Sequence, residues 1–255
     1  MNYTDTELKE FTLSRLPYWA EPSSILMLAL SGSRAYGTNT LTSDYDLVGI
    51  VAPPEEYIIG GKTFQPVSVV TDTMDLKMYS PEQFMQMVTK GSVNNLESLF
   101  LPTIVLDQVL APWWRARKAF ITRSTVASIK GYTDSFLRRF GDLEAGDQGS
   151  KRRELVTTYG YDTKAAVHAY RWLYMGLNLY QDPSQLTVHM EFDQRAFLKR
   201  VKAGQIPPEQ VLADINELLA TFIAGEAQLK DTLGKVPDDL PSSLLVDIHR
   251  KLLTQ

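Results

Sequence analysis

Residues 31–50 read S-G-S-R-A-Y-G-T-N-T-L-T-S-D-Y-D-L-V-G-I, and the fold turns on how they are parsed. An apolar run, Ile25 to Leu30, leads in. A small-residue turn follows at Gly32-Ser33, closed by Gly37. Asp44 and Asp46 then stand two apart at the head of a second apolar run, Leu47 to Val51. Side chains alternate faces along a strand, so these carboxylates share one face and Tyr45 takes the other. Two carboxylates a few ångströms apart repel, and one pKa rises unless a cation sits between them. Magnesium is the usual cation for such an all-oxygen set. The bland alternative is a hairpin whose aspartates are surface turn residues.

Upstream, Thr6 to Tyr18 suits a short amphipathic helix that buries Leu8, Phe11, Leu16 and Tyr18 and is broken by Pro22. Ile25 to Leu30 suits a strand covered on both faces. Downstream, Asp44 to Ala52 reads as the second strand, ended by Pro53-Pro54. Val67 to Tyr79 reads as a third strand region, with Met74, Leu76 and Met78 alternating with Asp75, Lys77 and Tyr79. Asp75 therefore projects from the polar face, and Asp72 competes with it as a third carboxylate. Ser80-Pro81-Glu82-Gln83 is a helix start, with Ser as N-cap, Pro at the first helical position and Gln at the capping-box site. A helix over about Val93 to Phe100 carries Asn94 and Glu97 among apolar neighbours, and Thr103 to Leu106 suits an edge strand.

From Pro112 the pattern is helical. Trp113 to Gly141, a single long helix from about Lys151 to Tyr180, and helices from Phe192, Pro208 and Pro241 are expected. Asp142 to Ser150, with Gly141, Gly146 and Gly149, suits a linker loop. Arg138, Arg139, Lys151, Arg152 and Arg153 bracket it, as a solvated surface or a guide for an anionic acceptor. The fold class expected is α+β, with an α/β part over residues 1–111 and a helical part over 112–255. The role of residues 216–255 is open.

The long helix holds Y-G-Y-D-T-K-A-A-V-H-A-Y-R, in which Tyr161, Lys164, His168 and Arg171 recur at helical spacing. Like charges on one stripe repel mildly, and a bound polyphosphate removes the conflict. Lys offers a point charge and Arg a planar fork suited to phosphate. The alternative is a solvated basic face. Trp113, Trp114 and Trp172 read as core anchors.

The 255 residues, 44% hydrophobic and 22% charged, are those of an ordinary soluble protein with a sizeable core. The chain has no cysteine, which excludes disulfides and thiolate metal sites and agrees with a reducing, cytoplasmic setting. The N-terminus lacks a basic start and an apolar run, and the apolar runs are too short to span a membrane. A net charge of −4 argues against a broad nucleic-acid-coating surface.

The combination of G-S-R-A-Y-G with S-D-Y-D-L-V-G resembles the DNA-polymerase-β-like nucleotidyltransferase superfamily, and in detail the predicted YcgL-type family of bacteria and phages. K-G-S-V-N-N-L-E-S-L-F, Y-G-Y-D-T-K-A-A-V-H-A-Y-R and F-D-Q-R-A-F-L-K-R-V-K-A-G-Q extend the resemblance over about Ile25 to Ile215, although Ser92 stands where the family more often has Asn. The resemblance implies a polymerase-β-like catalytic domain followed by a helical domain that supplies a basic wall to the cleft. It implies an enzyme that transfers a nucleoside monophosphate from a triphosphate such as ATP to an acceptor hydroxyl, with release of pyrophosphate. Asp44, Asp46 and Asp75 then hold two magnesium or manganese ions about 4 Å apart. Asp75 is favoured over Asp72 because it precedes the Y-S-x-x-x-F segment. Gly32, Ser33 and Arg34 approach the phosphates, Arg34 with an outward salt bridge as its alternative. Lys164, His168 and Arg171 bind the triphosphate, and Tyr161 and Asp162 face the cleft, with Asn94 and Glu97 as further candidates. The acceptor, whether RNA, protein or small molecule, is open. A regulatory or antitoxin-like nucleotide- or metal-binding protein of the same fold, with little turnover, is the alternative.

Overall fold

The computed structural model describes residues 3–142 and 150–254. Five strands form one mixed sheet: β1 Ile25–Ser31, β2 Tyr45–Val51, β3 Val67–Val70, β4 Met74–Tyr79 and β5 Thr103–Leu106, in the order β3-β4-β2-β1-β5. β1 and β2 are antiparallel, with Ser31 opposite Asp46, whereas β2 and β4 are parallel, with Asp46 beside Asp75. The third strand region is thus a hairpin. Thr71 hydrogen-bonds to Met74 at the turn, and the turn holds Asp72.

The sheet's first unit comprises Met1–Phe120 and Lys235–Gln255. Leu28, Tyr45, Leu47, Met74, Leu76 and Met78 pack with Leu8 and Leu16 on one face of the sheet. Helix α1, Asp5–Arg15, is capped by Thr4 through a reciprocal box with Glu7. It stops short of the expected Tyr18 because Pro17 forces Leu16 into an extended conformation, and Tyr18 is fully exposed rather than buried. Short helices follow, α2 Gly32–Ala35 and α3 Glu55–Ile58. Helix α4, Pro81–Thr89, begins at the Ser80–Gln83 capping box. Helix α5 spans Val93–Ser98 and α6 Ala111–Ala116, where Trp113 packs edge-on against Phe84 and at a tilt against Phe120.

The second unit, Ile121–Gly234, is helical. Helix α7 spans Arg123–Arg138, α8 Ser150–Tyr159, α9 Thr163–Gln181, α10 Phe192–Lys202 and α11 Pro208–Thr232. The single long helix expected over residues 151–180 is two helices. Gly160 takes φ +80°, in the left-handed region, and Asp162 caps the new start at Ala165 N. Helix α9 is the unit's centre, packed on α7, α10 and α11. Gly176 of α9 receives Phe222 of α11, and Gly225 of α11 receives Tyr180 of α9, so each helix presents a notch to the other's ring. The two ends of the unit are pinned together: Arg123 donates its Nε to Leu233 O at 2.9 Å. The expected loop over residues 142–150 lies almost wholly outside the described residues.

The last helix, α12 Leu240–Leu252, packs on α4 in the first unit, where His249 Nε2 lies 2.6 Å from Glu82 Oε1. The sequence alone grouped these residues with the helical part. The structure assigns them to the sheet, because Leu244 and Ile248 bury their side chains there. No described helix is long and apolar enough to cross a membrane.

Candidate active site

The site is built on a row of three strand positions. Ser31 on β1, Asp46 on β2 and Asp75 on β4 are successive register partners. Adjacent strands lie about 4.8 Å apart, and register partners point to the same face, so Asp46 and Asp75 are side by side. That face is opposite the Tyr45–Leu47–Leu76 core, and both carboxylates are half-buried. Asp72 sits exposed in the hairpin turn, out of the row. Asp44 precedes β2 and is exposed, so the strand's alternation does not orient it.

The Gly32 turn lies on this row. Gly32 has φ +64°, and a Cβ there would strike the Asp46 carboxylate, so only glycine lets the turn sit against it. Ser31 Oγ donates to Asp46 O at 3.2 Å and ties the turn to the strand. Ser33 is half-buried, and its carbonyl accepts from Thr38 N at 2.9 Å. Arg34 bonds to backbone carbonyls just before β2. Its Nε donates to Asp44 O at 3.2 Å and its second terminal nitrogen to Ser43 O at 2.8 Å, while the guanidinium covers the Tyr45 ring at 3.7 Å. It thereby clamps the approach to β2.

Tyr36, on the same turn, donates to Glu97 Oε1 of α5 at 2.5 Å, and both residues are buried. Glu97 therefore anchors the Gly32 turn through Tyr36. The sequence marked Glu97 as polar among apolar neighbours without showing its partner. Asn94, on the same helix, is exposed.

The basic stripe is sorted by depth. Lys164 is exposed, His168 is half-buried with its Nδ1 sealed from solvent, and Arg171 is fully buried. Burial, helped by the charges of Arg171, Lys164 and Lys202, pulls His168 down to about 3, so its imidazole is neutral at pH 7. Tyr161 is fully buried too. Its hydroxyl donates to Ile206 O at 3.1 Å and its ring stacks on Phe140. It belongs to the unit's core and not to a cleft, because the Gly160 break takes it off the α9 stripe. Asp162 is spent on the α9 cap and on Arg152, whose Nε lies 3.4 Å from Oδ2. Arg152 also donates to Arg139 O at 2.8 Å, so part of the expected basic surface is internal bracing.

Asp46 and Asp75 fit a divalent cation by chemistry and placement: two hard oxygen donors on adjacent strands. Among the described residues, however, no three His, Asp or Glu side chains gather as a cation cluster. The expected trio is thus a pair, with Asp44 outside it.

A mixed sheet carrying an aspartate pair beneath a Gly-Ser turn defines a nucleotidyltransferase-like α+β fold with a helical region after it. The chain belongs to the RNA repair pathway DNA polymerase beta family, whose model matches residues 7–232. That places it in the polymerase-β superfamily the sequence motifs resembled. That match does not extend to the narrower YcgL-type name. A nucleotidyltransferase-like protein from Exiguobacterium sibiricum 255-15 is similar over 80% of this chain and 71% of its own, at 14% identity and a TM-score of 0.33, too loose a superposition to bear on the site. No curated protein matches the chain.

Proposed function

We propose that this protein transfers a nucleoside monophosphate from a nucleoside triphosphate to a hydroxyl at an RNA end. The observation that carries the proposal is the register of Asp46 beside Asp75 under the Gly32 turn. RNA is preferred as acceptor because the family is described by an RNA repair pathway. A small RNA terminus also suits a chain of net charge −4 better than a long duplex. In the reaction the acceptor oxygen bonds to the α-phosphorus, the α–β bridging bond breaks, and pyrophosphate leaves with the bonding pair. Asp46 and Asp75 would hold magnesium or manganese, with Asp44 joining them by rotation of its exposed side chain; the ion supplies charge neutralisation on the phosphates. Asp75 orients the acceptor hydroxyl and accepts its proton. Gly32 keeps the turn close to Asp46, and Ser33 donates to a phosphate oxygen. Lys164 and Arg171, of the helical unit, are further candidates for binding phosphate oxygens.

The test is incubation of the protein with each α-labelled triphosphate, magnesium and RNAs bearing defined ends. Labelled RNA lengthened by one nucleotide is expected. No labelled RNA with any triphosphate would overturn the proposal.

The gathering of two carboxylates instead of three favours a second reading, a regulatory nucleotide-binding protein. Triphosphate binding by the wild-type chain, with no labelled product on RNA, protein or small molecule, would select it.

A further inference from the structure

The charged side chains of the five strands are Asp46, Asp75 and Lys77, and Lys77 is the basic one among them. All three stand on the same face of the sheet. Lys77 follows Asp75 by two positions on β4, so its side chain leaves the strand on the side of the carboxylate row, about 7 Å further along. Its register partner on β3 is Ser68, and that of Asp75 is Val70, so Ser68 and Val70 share this face too. The face is covered unevenly. Over β1 and β2, Met27, Ala29, Val48 and Ile50 are buried. At the far end of β4, Phe84 of α4 lies against Tyr79, with ring centroids 6.1 Å apart. Ser68, Val70 and Lys77 are exposed, Val70 by 75%.

Lys77 makes no ion pair with any described residue, Asp75 two positions away included. A lysine on an edge strand keeps sheets from pairing with one another, but the edge here is β3, and Lys77 stands one strand in, on β4. The order of parts along the row selects the occupant. From β1 outward come the Gly32 turn, Asp46, Asp75 and then the open strip. In the proposed reaction the turn and Asp46 meet the triphosphate, which leaves the acceptor the side of Asp75 away from the turn. Tyr45 N donates to Thr73 O at 2.8 Å, so Asp44 and Asp72 stand at the same end of the sheet as the pair. A phosphate-bearing strand approaching so many carboxylates needs a cation of its own, and the unpaired ammonium of Lys77 is placed to be it.

We propose that Ser68, Val70 and Lys77 seat the acceptor RNA strand beside the aspartate pair. The Lys77 ammonium binds the phosphodiester next to the terminal nucleotide, and Val70 gives that nucleotide's sugar an apolar contact. Such a contact positions the strand without reading its sequence. The inference rests on the nucleotidyl-transfer reading for the hydroxyl placed at Asp75, whereas the binding itself needs no transfer.

The full-length protein is titrated with a fluorescein-labelled single-stranded RNA oligomer bearing a free 3′ hydroxyl, with magnesium and without triphosphate, and binding is read by anisotropy over a range of salt. The wild type is expected to bind. Lys77→Ala loses roughly threefold in affinity, and its slope of log affinity against log salt falls by about 0.7, the share of one phosphate contact on a single strand. Lys77→Arg restores both. Val70→Glu sets a like charge against the strand and loses about tenfold. Both positions are exposed, so melting temperatures hold. Lys9→Ala, on α1 across the sheet, binds as the wild type does. In the transfer assay Lys77→Ala raises the KM for RNA by the same factor and leaves kcat and the KM for triphosphate unchanged. RNA held through Lys77 with no nucleotide transferred keeps the strip and removes the reaction, which separates the two failures. Wild-type affinity and salt slope in Lys77→Ala and Val70→Glu overturn the proposal, as does an equal loss in Lys9→Ala or absence of RNA binding by the wild type.

Discussion

The carboxylate row on the sheet and the basic stripe on α9 looked alike as patterns: polar residues recurring at the period of their element. They came out differently. Asp46 and Asp75 became neighbours across parallel strands, whereas Lys164, His168 and Arg171 were dealt to three depths, from exposed to fully buried. In a strand the period is two, and a residue on the face opposite the core stays on that face. In a helix surrounded on three sides by α7, α10 and α11, the period gives direction around the axis and nothing about how much protein lies outward along it. A polar residue on a sheet face is therefore stronger evidence of a site than one on a central helix.

The widest test of this contrast is Asp46→Asn. It should lower transfer by roughly three orders of magnitude while the unfolding midpoint holds, as single-turnover assays and denaturation will show; comparable losses in Lys164→Ala would break the contrast. Gly32→Ala comes next. Its Cβ meets the Asp46 carboxylate in a left-handed conformation, so about a hundredfold loss of rate and about 1–3 kcal/mol of stability are expected. A variant of normal rate would show that the turn is free to retreat from the carboxylate. Tyr36→Phe removes the donor to buried Glu97 and should cost about 1–3 kcal/mol in urea. Its rate should fall more than its stability explains, because the turn loses its anchor.

His168 gives a smaller effect with a defined sign. Its folded value of about 3 lies below the ordinary 6.5, so between these limits the unfolded chain binds a proton that the folded chain refuses. Stability then rises with pH across that window and falls as pH drops below 6.5, by at most about 1.4 kcal/mol per pH unit. His168→Gln should flatten that slope; an unchanged slope would place the titration elsewhere. The smallest effect is at the α12–α4 contact. Burial raises Glu82, but hydrogen bonds from His249 and Ser80 outweigh it and hold the carboxyl below its usual range. The contact therefore stabilises above about pH 4.5 and is lost as pH falls through the lowered value. His249→Ala should cost about 0.5–1 kcal/mol at neutral pH, since the pair is partly solvated, read from the thermal midpoint at pH 7 and pH 4.

Much of the first unit was legible because its signals are local. The run Ile25 to Leu30, the Ser80–Gln83 box and the Met74–Met78 alternation each state their element within a few residues. The hairpin turn at Thr71–Thr73 was missed because it has no glycine or proline to announce it. The break at Gly160 was missed although a glycine marked it, since a glycine inside a periodic helix also reads as a tolerated defect. Asp75 was preferable to Asp72 on alternation, but only strand pairing put it beside Asp46. Tyr36 carried no readable assignment, and Glu97 was marked without its partner, because the two lie 61 positions apart. The place of α12 was not legible at all: an amphipathic helix states that it needs a surface, not which one.

That last helix changes the order in which the molecule can be made. The sheet unit is interrupted, with the helical unit inserted between Phe120 and Lys235 and its ends held together by Arg123 and Leu233. During synthesis the inserted unit is complete before the unit that hosts it. The α4 surface stays uncovered until α12 has left the ribosome and closes over it. A nascent chain stalled before residue 235 would thus carry a finished helical unit and an unfinished sheet unit, open to chaperones and proteases on the side where Glu82 awaits His249.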